Sequence, residues 1–468
     1  MKEIFSKAEL SAALGQQVKC GISGICINSR DAREGDLFFA MQGSRVDGHD
    51  FVSEALKKGA FLAVVEKFLP GIDGAQQILA KASLDKLQDL ARYNVSRTAA
   101  KYVSVTGSVG KTTTKAMICH FLSNTSRGNV FASKANMNSQ IGLPFCVAQM
   151  PPDTDTAILE VGMSGAGEIR KLVQVAQPDM AVITAVCESH LESFDSAFGI
   201  AKAKSEIFEG TNPPKSVLIP NDSPYTDFLA NRAGKLGVKD IYTFGSAEGA
   251  DAQLLSSNYG DGKICVEARI LETAISYELR CCNIALAHNS LIALLASHLV
   301  SGIALRDLAL QAPSFLVPPG RGEAIFLKNS DILLIDDAYN ASPASMKSAI
   351  MSLAQHPHRR KIAVLGDMLA LGPDSVRLHE NLAPTLDKFG IDLVFACGEM
   401  SRHLFNNLQE KKKGCWCENS TELAAKLLSE INSGDCLLLK GSHSMRMDII
   451  VDAIRHRYCG GVAPVKMD

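Results

Sequence analysis

Short, wholly apolar runs recur along this chain, and most end at a glycine or a polar residue. In the middle of the sequence they are Ala157-Ile158-Leu159, Met180-Ala181-Val182-Ile183 and Val217-Leu218-Ile219. Each gives way to a polar loop: Glu160-Val161-Gly162, then a stretch with Glu188 and His190, then Asn221-Asp222. Apolar runs without alternation predict strands covered on both faces, as in a parallel sheet flanked by helices.

Pro313, Pro318, Pro319 and Gly320 then predict a linker, and the rhythm restarts beyond it. Ile332-Leu333-Leu334-Ile335 ends in Asp336-Asp337, and Ile362-Ala363-Val364-Leu365 ends in Gly366-Asp367. Leu393-Val394-Phe395 and Leu437-Leu438-Leu439 end in the same way. This is the pattern of a doubly wound sheet, whose ligands sit outside the carboxyl ends of the strands. Ahead of residue 86 the runs are shorter, such as Leu37-Phe38-Phe39-Ala40-Met41, and turns such as Asp47-Gly48-His49 separate them. The expected organisation is α/β throughout, in three domains. A small N-terminal α/β domain covers 1–85 and a central parallel-sheet domain covers 86–312. A C-terminal, Rossmann-like doubly wound domain covers 313–468. Hinges are expected near 86 and at 313–320. A chain of 468 residues suits about three domains.

A formal net charge of −2 excludes nucleic-acid or membrane-surface binding driven by bulk charge. Aromatic residues at 6% also argue against base-stacking platforms. The longest apolar stretch, from Leu286 to Leu305, contains His288, Asn289, Ser290 and His298, and so predicts a buried or amphipathic helix rather than a membrane span. Met1-Lys2-Glu3-Ile4 leads into a mixed polar segment unlike a secretory leader. With 13 scattered cysteines, this predicts reduced thiols and a cytoplasmic location. Neither Cys281-Cys282 nor Cys415-Trp416-Cys417 has a second pair at zinc spacing.

The most informative stretch is Gly107-Ser108-Val109-Gly110-Lys111-Thr112-Thr113. It joins a predicted strand (Tyr102, Val103, Val105) to a predicted helix (Met117, Ile118, Phe121, Leu122). A glycine turn and Lys-Thr at a helix start suit a nucleotide triphosphate, because backbone N–H groups and the positive helix end face the phosphates. Lys111 would reach the β/γ oxygens and Thr112 would bind Mg²⁺. The usual pattern has a further glycine five residues before Gly110, where Val105 stands. A plain strand-to-helix turn therefore stays open as an alternative.

Three other central residues follow strand ends or lie in the next helix. Glu160 is placed to ligate Mg²⁺ or to cap a helix. His190 is a candidate ligand or an ordinary loop residue. Lys204, in Ala201-Lys202-Ala203-Lys204, is a candidate site lysine or a solvated one. Mg²⁺ prefers oxygen, so neither His190 nor an unmodified Lys204 is an ordinary ligand for it. In the last domain, Asp336-Asp337-Ala338-Tyr339-Asn340-Ala341-Ser342-Pro343 follows a strand. A carboxylate there can accept from ribose hydroxyls and an aromatic ring can pack on a base; a polar turn before a helix fits equally. Arg321, at the end of the linker, is placed to reach a triphosphate from a second domain.

Taken together these motifs resemble the Mur ligases over nearly the whole chain. The resemblance rests first on Ser29-Arg30, Gly35-Asp36-Leu37-Phe38, Asp47-Gly48-His49-Asp50-Phe51 and Gly59-Ala60. It continues in Thr106-Gly107-Ser108-Val109-Gly110-Lys111-Thr112-Thr113, where the short glycine spacing is the family's own. It includes Asn136-Met137-Asn138 with Ile141-Gly142-Leu143-Pro144, Glu160-Val161-Gly162-Met163, His190-Leu191-Glu192 and the Lys204 run. Asp336-Asp337-Ala338-Tyr339-Asn340, Gly366-Asp367-Met368-Leu369 and Lys440-Gly441-Ser442 complete it. The first two of these favour the branch that adds D-alanyl-D-alanine, and the Asp-Asn-Pro-Arg signature of the tripeptide-forming branch is absent.

The resemblance implies a monomeric, ATP- and Mg²⁺-dependent amide ligase of peptidoglycan precursor synthesis, and hence of cell-wall growth, shape and division. Its partners would be a UDP-linked muramoyl tripeptide and D-alanyl-D-alanine, with no nucleic acid and no membrane insertion. It implies a first domain that holds the UDP-sugar end, a central P-loop ATPase-like domain, and a last domain that receives the amine and closes over ATP. It assigns Lys111, Glu160, His190 and Lys204 to catalysis, with Thr112, Glu160, His190 and a carbamylated Lys204 around the metal. It assigns Gly107, Ser108, Val109, Gly110, Lys111, Thr112, Thr113, Asn289, Arg321, Asp336, Tyr339 and Asn340 to ATP. Ser29, Arg30, Asp47, His49 and Asn138 go to the nucleotide-sugar substrate. Four departures from the family pattern are Val109 for Asn, Ile292 for Asn, Ala370 for Glu and His443 for Arg. The competing readings are a ligase for another amine, a glutamate-chain synthetase, a binding protein without ligation and a plain NTPase.

Overall fold

The computed structural model describes residues 3–43, 46–125, 128–134, 136–188, 191–260, 262–327, 330–356 and 360–459. It contains three sheets. The first is four-stranded and parallel, with β1 (Gly24–Cys26), β2 (Asp36–Phe39), β3 (Leu62–Val65) and β4 (Gln77–Leu79) in sequence order.

The central sheet has nine strands. They are β5 (Lys101–Thr106), β6 (Val130–Ala132), β7 (Thr156–Glu160), β8 (Met180–Ile183), β9 (Ser216–Pro220), β10 (Asp240–Gly245), β11 (Ala252–Gly260), β12 (Lys263–Ile270) and β13 (Thr273–Leu279). Their order is β13-β12-β11-β10-β9-β8-β5-β7-β6. The apolar runs Ala157-Ile158-Leu159, Met180–Ile183 and Val217-Leu218-Ile219 are its inner parallel strands, and their side chains are buried as their composition predicts.

The third sheet holds β14 (Glu323–Leu327), β15 (Ile332–Asp337), β16 (Lys361–Gly366), β17 (Leu393–Cys397), β18 (Lys413–Cys417) and β19 (Cys436–Lys440), in the order β14-β15-β19-β16-β17-β18. All but β14 run parallel, with an apolar core on each face. This is the doubly wound arrangement expected after the linker.

Two features differ from expectation. The central sheet continues into an antiparallel extension, β11-β12-β13. In β12 the side chains of Ile264, Val266, Ala268 and Ile270 are buried while those between them are more exposed, which is the alternation of a sheet with one wet face. The extension also reaches the last domain: Tyr259 near its hairpin tip packs against that domain's core, edge-on to His356 at 4.4 Å between ring centroids.

The second difference concerns the first boundary. Residue 86 lies inside a helix, Ser83–Ser96, not in a linker. Its Leu87, Leu90 and Ala91 are fully buried in a core that runs without interruption from the first sheet into the central one. Asn94, also fully buried, donates from its amide to the carbonyls of Val147 at 2.7 Å and Met150 at 2.8 Å. The first two domains therefore share a packed joint where a hinge was expected. At the second boundary, Ala312–Ser314 is a single 3₁₀ turn and an irregular segment follows it to Gly322. The apolar stretch from Leu286 is the buried helix Ala285–Ser301, and among the described residues no helix is long and apolar enough to cross a membrane.

Replacing Asn94 by Ala leaves two buried carbonyls without their donor. We expect a loss of about 1–3 kcal/mol in unfolding free energy, measured by urea titration. A change within about 0.5 kcal/mol of zero, as at an ordinary surface site, would show that the joint does not depend on this residue.

Candidate functional site

The loop after β5 is fastened from the neighbouring strand end. Gly107 has φ +151°, and a Cβ there would fall 1.9 Å from Thr184 Oγ1, so only glycine fits. Ser108 N–H donates to the Ala185 carbonyl at 2.8 Å, and its hydroxyl donates to the Cys187 carbonyl at 2.9 Å. The Thr184 hydroxyl donates to the Val109 carbonyl at 2.5 Å. Gly110, at φ +84°, approaches Asn289, whose Oδ1 would lie 2.7 Å from a Cβ on Gly110. The helix Lys111–Thr125 starts directly after it, with Thr112 and Thr113 buried in its first turn. Its positive end and unpaired N–H groups face the loop, which suits an anion.

Around this loop the structure collects charge, with Glu160, Lys115 and Lys204 buried and Lys111 half-buried. Lys111 Nζ donates to the Gly107 carbonyl at 2.7 Å. Burial disfavours its ammonium, which Glu160 supports and Arg321 opposes, and its pKa falls. Glu160 ends β7 with 2% of its surface exposed. Burial raises the pKa of its carboxyl, but Lys115, Lys111 and hydrogen bonds from Asn138 and Thr112 outweigh burial and hold it below the usual range. Asn138 Nδ2 donates to Glu160 Oε1 at 2.8 Å, while Oε2 is buried without a hydrogen bond. Lys204, on the helix Ala197–Ser205, is 2% exposed. Burial, and then repulsion from Lys111, push its pKa well below that of an ordinary lysine. His190, expected in the same set, lies outside the described residues.

The last domain contributes a second group at the carboxyl ends of β15 and β19. Lys440 Nζ is 2.7 Å from Asp337 Oδ2 and donates to the Asn340 carbonyl at 2.9 Å. Asp336 is buried, and burial pushes its carboxyl up to about 6. Arg321 stacks over the Tyr339 ring at 4.0 Å, and Tyr339 lies 5.3 Å from the His443 ring. Arg321 therefore stands between the two groups, its field felt by Lys111 and by Asp337. The departure at 292 has a packing reason: Ile292 is 1% exposed inside the core, one turn from Asn289.

In the first domain the expected residues follow the ends of β1 and β2. Arg30 is exposed, and the Ser29 hydroxyl donates to Glu54 at 3.1 Å. His49 is used internally. Its Nε2 accepts the Glu66 N–H at 2.9 Å, so the proton sits on Nδ1 and is donated to Asp47 Oδ1 at 2.6 Å. Both ring nitrogens are thus engaged in holding this loop. Asn138, expected at the substrate, points its amide at Glu160 instead.

Sequence reasoning missed Lys115. It lies one helical turn beyond Lys111 on the same face, the spacing that would have indicated it. Among the described residues there is no cluster of three or more His, Cys, Asp or Glu side chains able to hold a metal. Thr112 and the open Glu160 Oε2 nonetheless suit a hard cation that takes its remaining ligands from phosphate and water.

Three family models match the chain: "Mur ligase family, catalytic domain" at 21–90, "Mur ligase middle domain" at 105–297 and "Mur ligase, glutamate ligase domain" at 320–443. The UDP-N-acetylmuramoyl-tripeptide–D-alanyl-D-alanine ligase of Rickettsia prowazekii is 34% identical over 96% of this chain and 99% of its own length. The crystal structure of MurF from Acinetobacter baumannii superposes with a TM-score of 0.86 at 26% identity, covering 96% of this chain and 98% of that one. MurF from Thermotoga maritima, solved in complex with ADP, gives a TM-score of 0.80 at 28% identity, covering 93% and 97%.

Gly107→Ala should lower the unfolding free energy by about 1–3 kcal/mol, because the methyl group must displace Thr184. Gly234→Ala is the control, since nothing lies within 4 Å of a Cβ there. It should be neutral or stabilising by up to about 1 kcal/mol. Equal melting temperatures for the two variants would refute the fastening of the loop.

Proposed function

The chain belongs to the Mur ligase family, and within it we propose the reaction and the residue roles that follow. The enzyme joins D-alanyl-D-alanine to UDP-N-acetylmuramoyl-tripeptide at the expense of ATP, in the cytoplasmic stage of peptidoglycan precursor synthesis. The observation that carries the mechanism is the convergence of Lys111, Glu160 and the buried Lys204 on one loop, with Arg321 approaching from the last domain.

A free carboxylate is a poor electrophile. The tripeptide carboxylate therefore attacks the γ-phosphorus of ATP, an acyl phosphate forms, and ADP leaves. Both reactants are anions, and cations must screen them. Lys111 exchanges the Gly107 carbonyl for phosphate oxygens, and Arg321 adds charge from the opposite side. The loop N–H groups bind the remaining oxygens, while Asp336, Tyr339 and Asn340 offer contacts to the nucleoside. A Mg²⁺ ion held by Thr112, Glu160 and a modified Lys204 would supply further neutralisation of the transferring phosphoryl group. The amine of D-alanyl-D-alanine then attacks the acyl carbon, phosphate departs and the amine proton is released. An α-amino group has a pKa of about 8, so roughly a tenth is neutral at pH 7. Ser29, Arg30 and Asp47 line the nucleotide-sugar end.

Lys204 suits carbamylation. The reaction needs a neutral amine, which burial and Lys111 favour. Attack on CO₂ forms a C–N bond and releases a proton. The product is an anion bearing oxygen ligands beside Lys111, where an ammonium was repelled.

Phosphate release should require both the tripeptide substrate and D-alanyl-D-alanine. Comparable release with free amino acids, or with glutamate as the amine, would favour the competing ligases. Lys111→Ala should raise the barrier by about 3–4 kcal/mol, a fall of roughly 10²–10³ in kcat. Under ¹³CO₂ the enzyme should show one carbamate carbon resonance that Lys204→Ala lacks. If no such signal appears, Lys204 is unmodified and its assignment as a metal ligand falls.

A further inference from the structure

The helix that starts at Lys111 carries a further lysine, a buried one, that the chemistry above does not use. Lys115 is 4% exposed. Its ammonium donates to the Ser133 carbonyl at 2.7 Å and stands 3.3 Å from Glu160 Oε2. The hydroxyl of the same Ser133 accepts the backbone N–H of Glu160 at 3.0 Å, so one residue anchors both partners. Glu160 Oε1 is taken by Asn138, whereas Oε2 makes no hydrogen bond. The ammonium is thus tethered beside the one carboxylate oxygen that makes no hydrogen bond.

The charges are unequal. Lys115 and Lys111 face Glu160, and Arg321 faces Lys111. Two lysines therefore face one carboxylate, and the arginine adds positive charge beside them. A buried carboxylate with no counter-ion is costly, and Lys115 removes that cost without itself being a ligand. A bare divalent cation entering this pocket meets a field of its own sign, whereas a nucleotide triphosphate reverses the field.

We propose that Lys115 is a positioning residue acting through Glu160: it compensates the carboxylate in the empty enzyme, so that the divalent cation takes its seat only together with nucleotide phosphates. This rests on Glu160 being a metal ligand, as read above. The consequence is an order of events. The empty pocket is an anion site first, and it becomes a metal site when the phosphates arrive.

The test is Mn²⁺ binding to the full chain, followed by electron paramagnetic resonance with and without a non-hydrolysable ATP analogue. The wild-type enzyme should bind Mn²⁺ at least about tenfold more weakly without the analogue. Lys115→Met should tighten binding of Mn²⁺ alone by about tenfold. That gain should vanish in Lys115→Met/Glu160→Gln, because it acts through the carboxylate. A merely structural role would persist in the double variant and would not raise metal affinity. Lys115→Gln, which keeps a donor for Ser133 and loses the charge, gives the same comparison if the methionine variant does not fold. The inference is overturned if neither single variant binds bare Mn²⁺ more tightly, or if the gain survives Glu160→Gln. If the wild-type complex with the analogue binds no Mn²⁺, the reading of Glu160 as a metal ligand fails first.

Discussion

The constraint on which the site depends is burial of lysines with too few carboxylates. Lys115 and Lys204 are withdrawn from water near the carboxyl ends of β5, β7 and β8, Lys111 is half-buried beside them, and Glu160 is the acid that faces Lys111 and Lys115. Such an arrangement would be a liability in a core. On the proposed function it is tolerable here, because the missing negative charge would be the substrate's. In the proposed reaction phosphate oxygens would complete the pairing of Lys111, and a carbamate would reverse the sign at Lys204.

The surrounding architecture divides into one fixed joint and one looser one. The first and central domains share a continuous core through the helix Ser83–Ser96, with Asn94 tied to carbonyls of the central domain. The last domain meets the centre through separate patches. Tyr259 and Cys282 reach its core from one side, and Leu191 reaches it from the loop after β8. Gly372, at φ +61°, packs against the backbone of Leu191 and Glu192. Small contacts on two sides of a proline-rich segment suit a domain that must admit an amine and then exclude water from an acyl phosphate.

Strand identity was legible because buried parallel strands write continuous apolar runs, and the inner strands fall where those runs lie. The polar residues just beyond those runs, Glu160 and Asp336-Asp337, were legible as strand-end positions for the same reason, and they close β7 and β15. The antiparallel extension was missed although Ile264, Val266, Ala268 and Ile270 alternate plainly; attention to unbroken runs passes over period two. The hinge near 86 was misread because a helix that serves two domains looks like any amphipathic helix. His49 could not be read from its motif, because its two partners, Asp47 and the Glu66 backbone, meet only in the fold. Lys115 was passed over because a lysine in a helix is nearly always solvated, and only the packing around Ser133 shows that this one is not.

The short glycine spacing of the phosphate loop has a structural reason. Where a longer loop would place its first glycine, this chain has Val105, fully buried and paired within β5 to Glu160 of β7 and Val182 of β8. The strand therefore runs further before it turns, and the turn itself must be tighter. It is stabilised from outside: Thr184 and the carbonyls of Ala185 and Cys187 take up the bonds that a longer loop would make within itself. The loop after β8 is consequently built into the proposed phosphate site, not a neighbour of it. A displacement there moves Ser108 and Val109, which places the residues of 184–187 under the same geometric demand as the glycines they support.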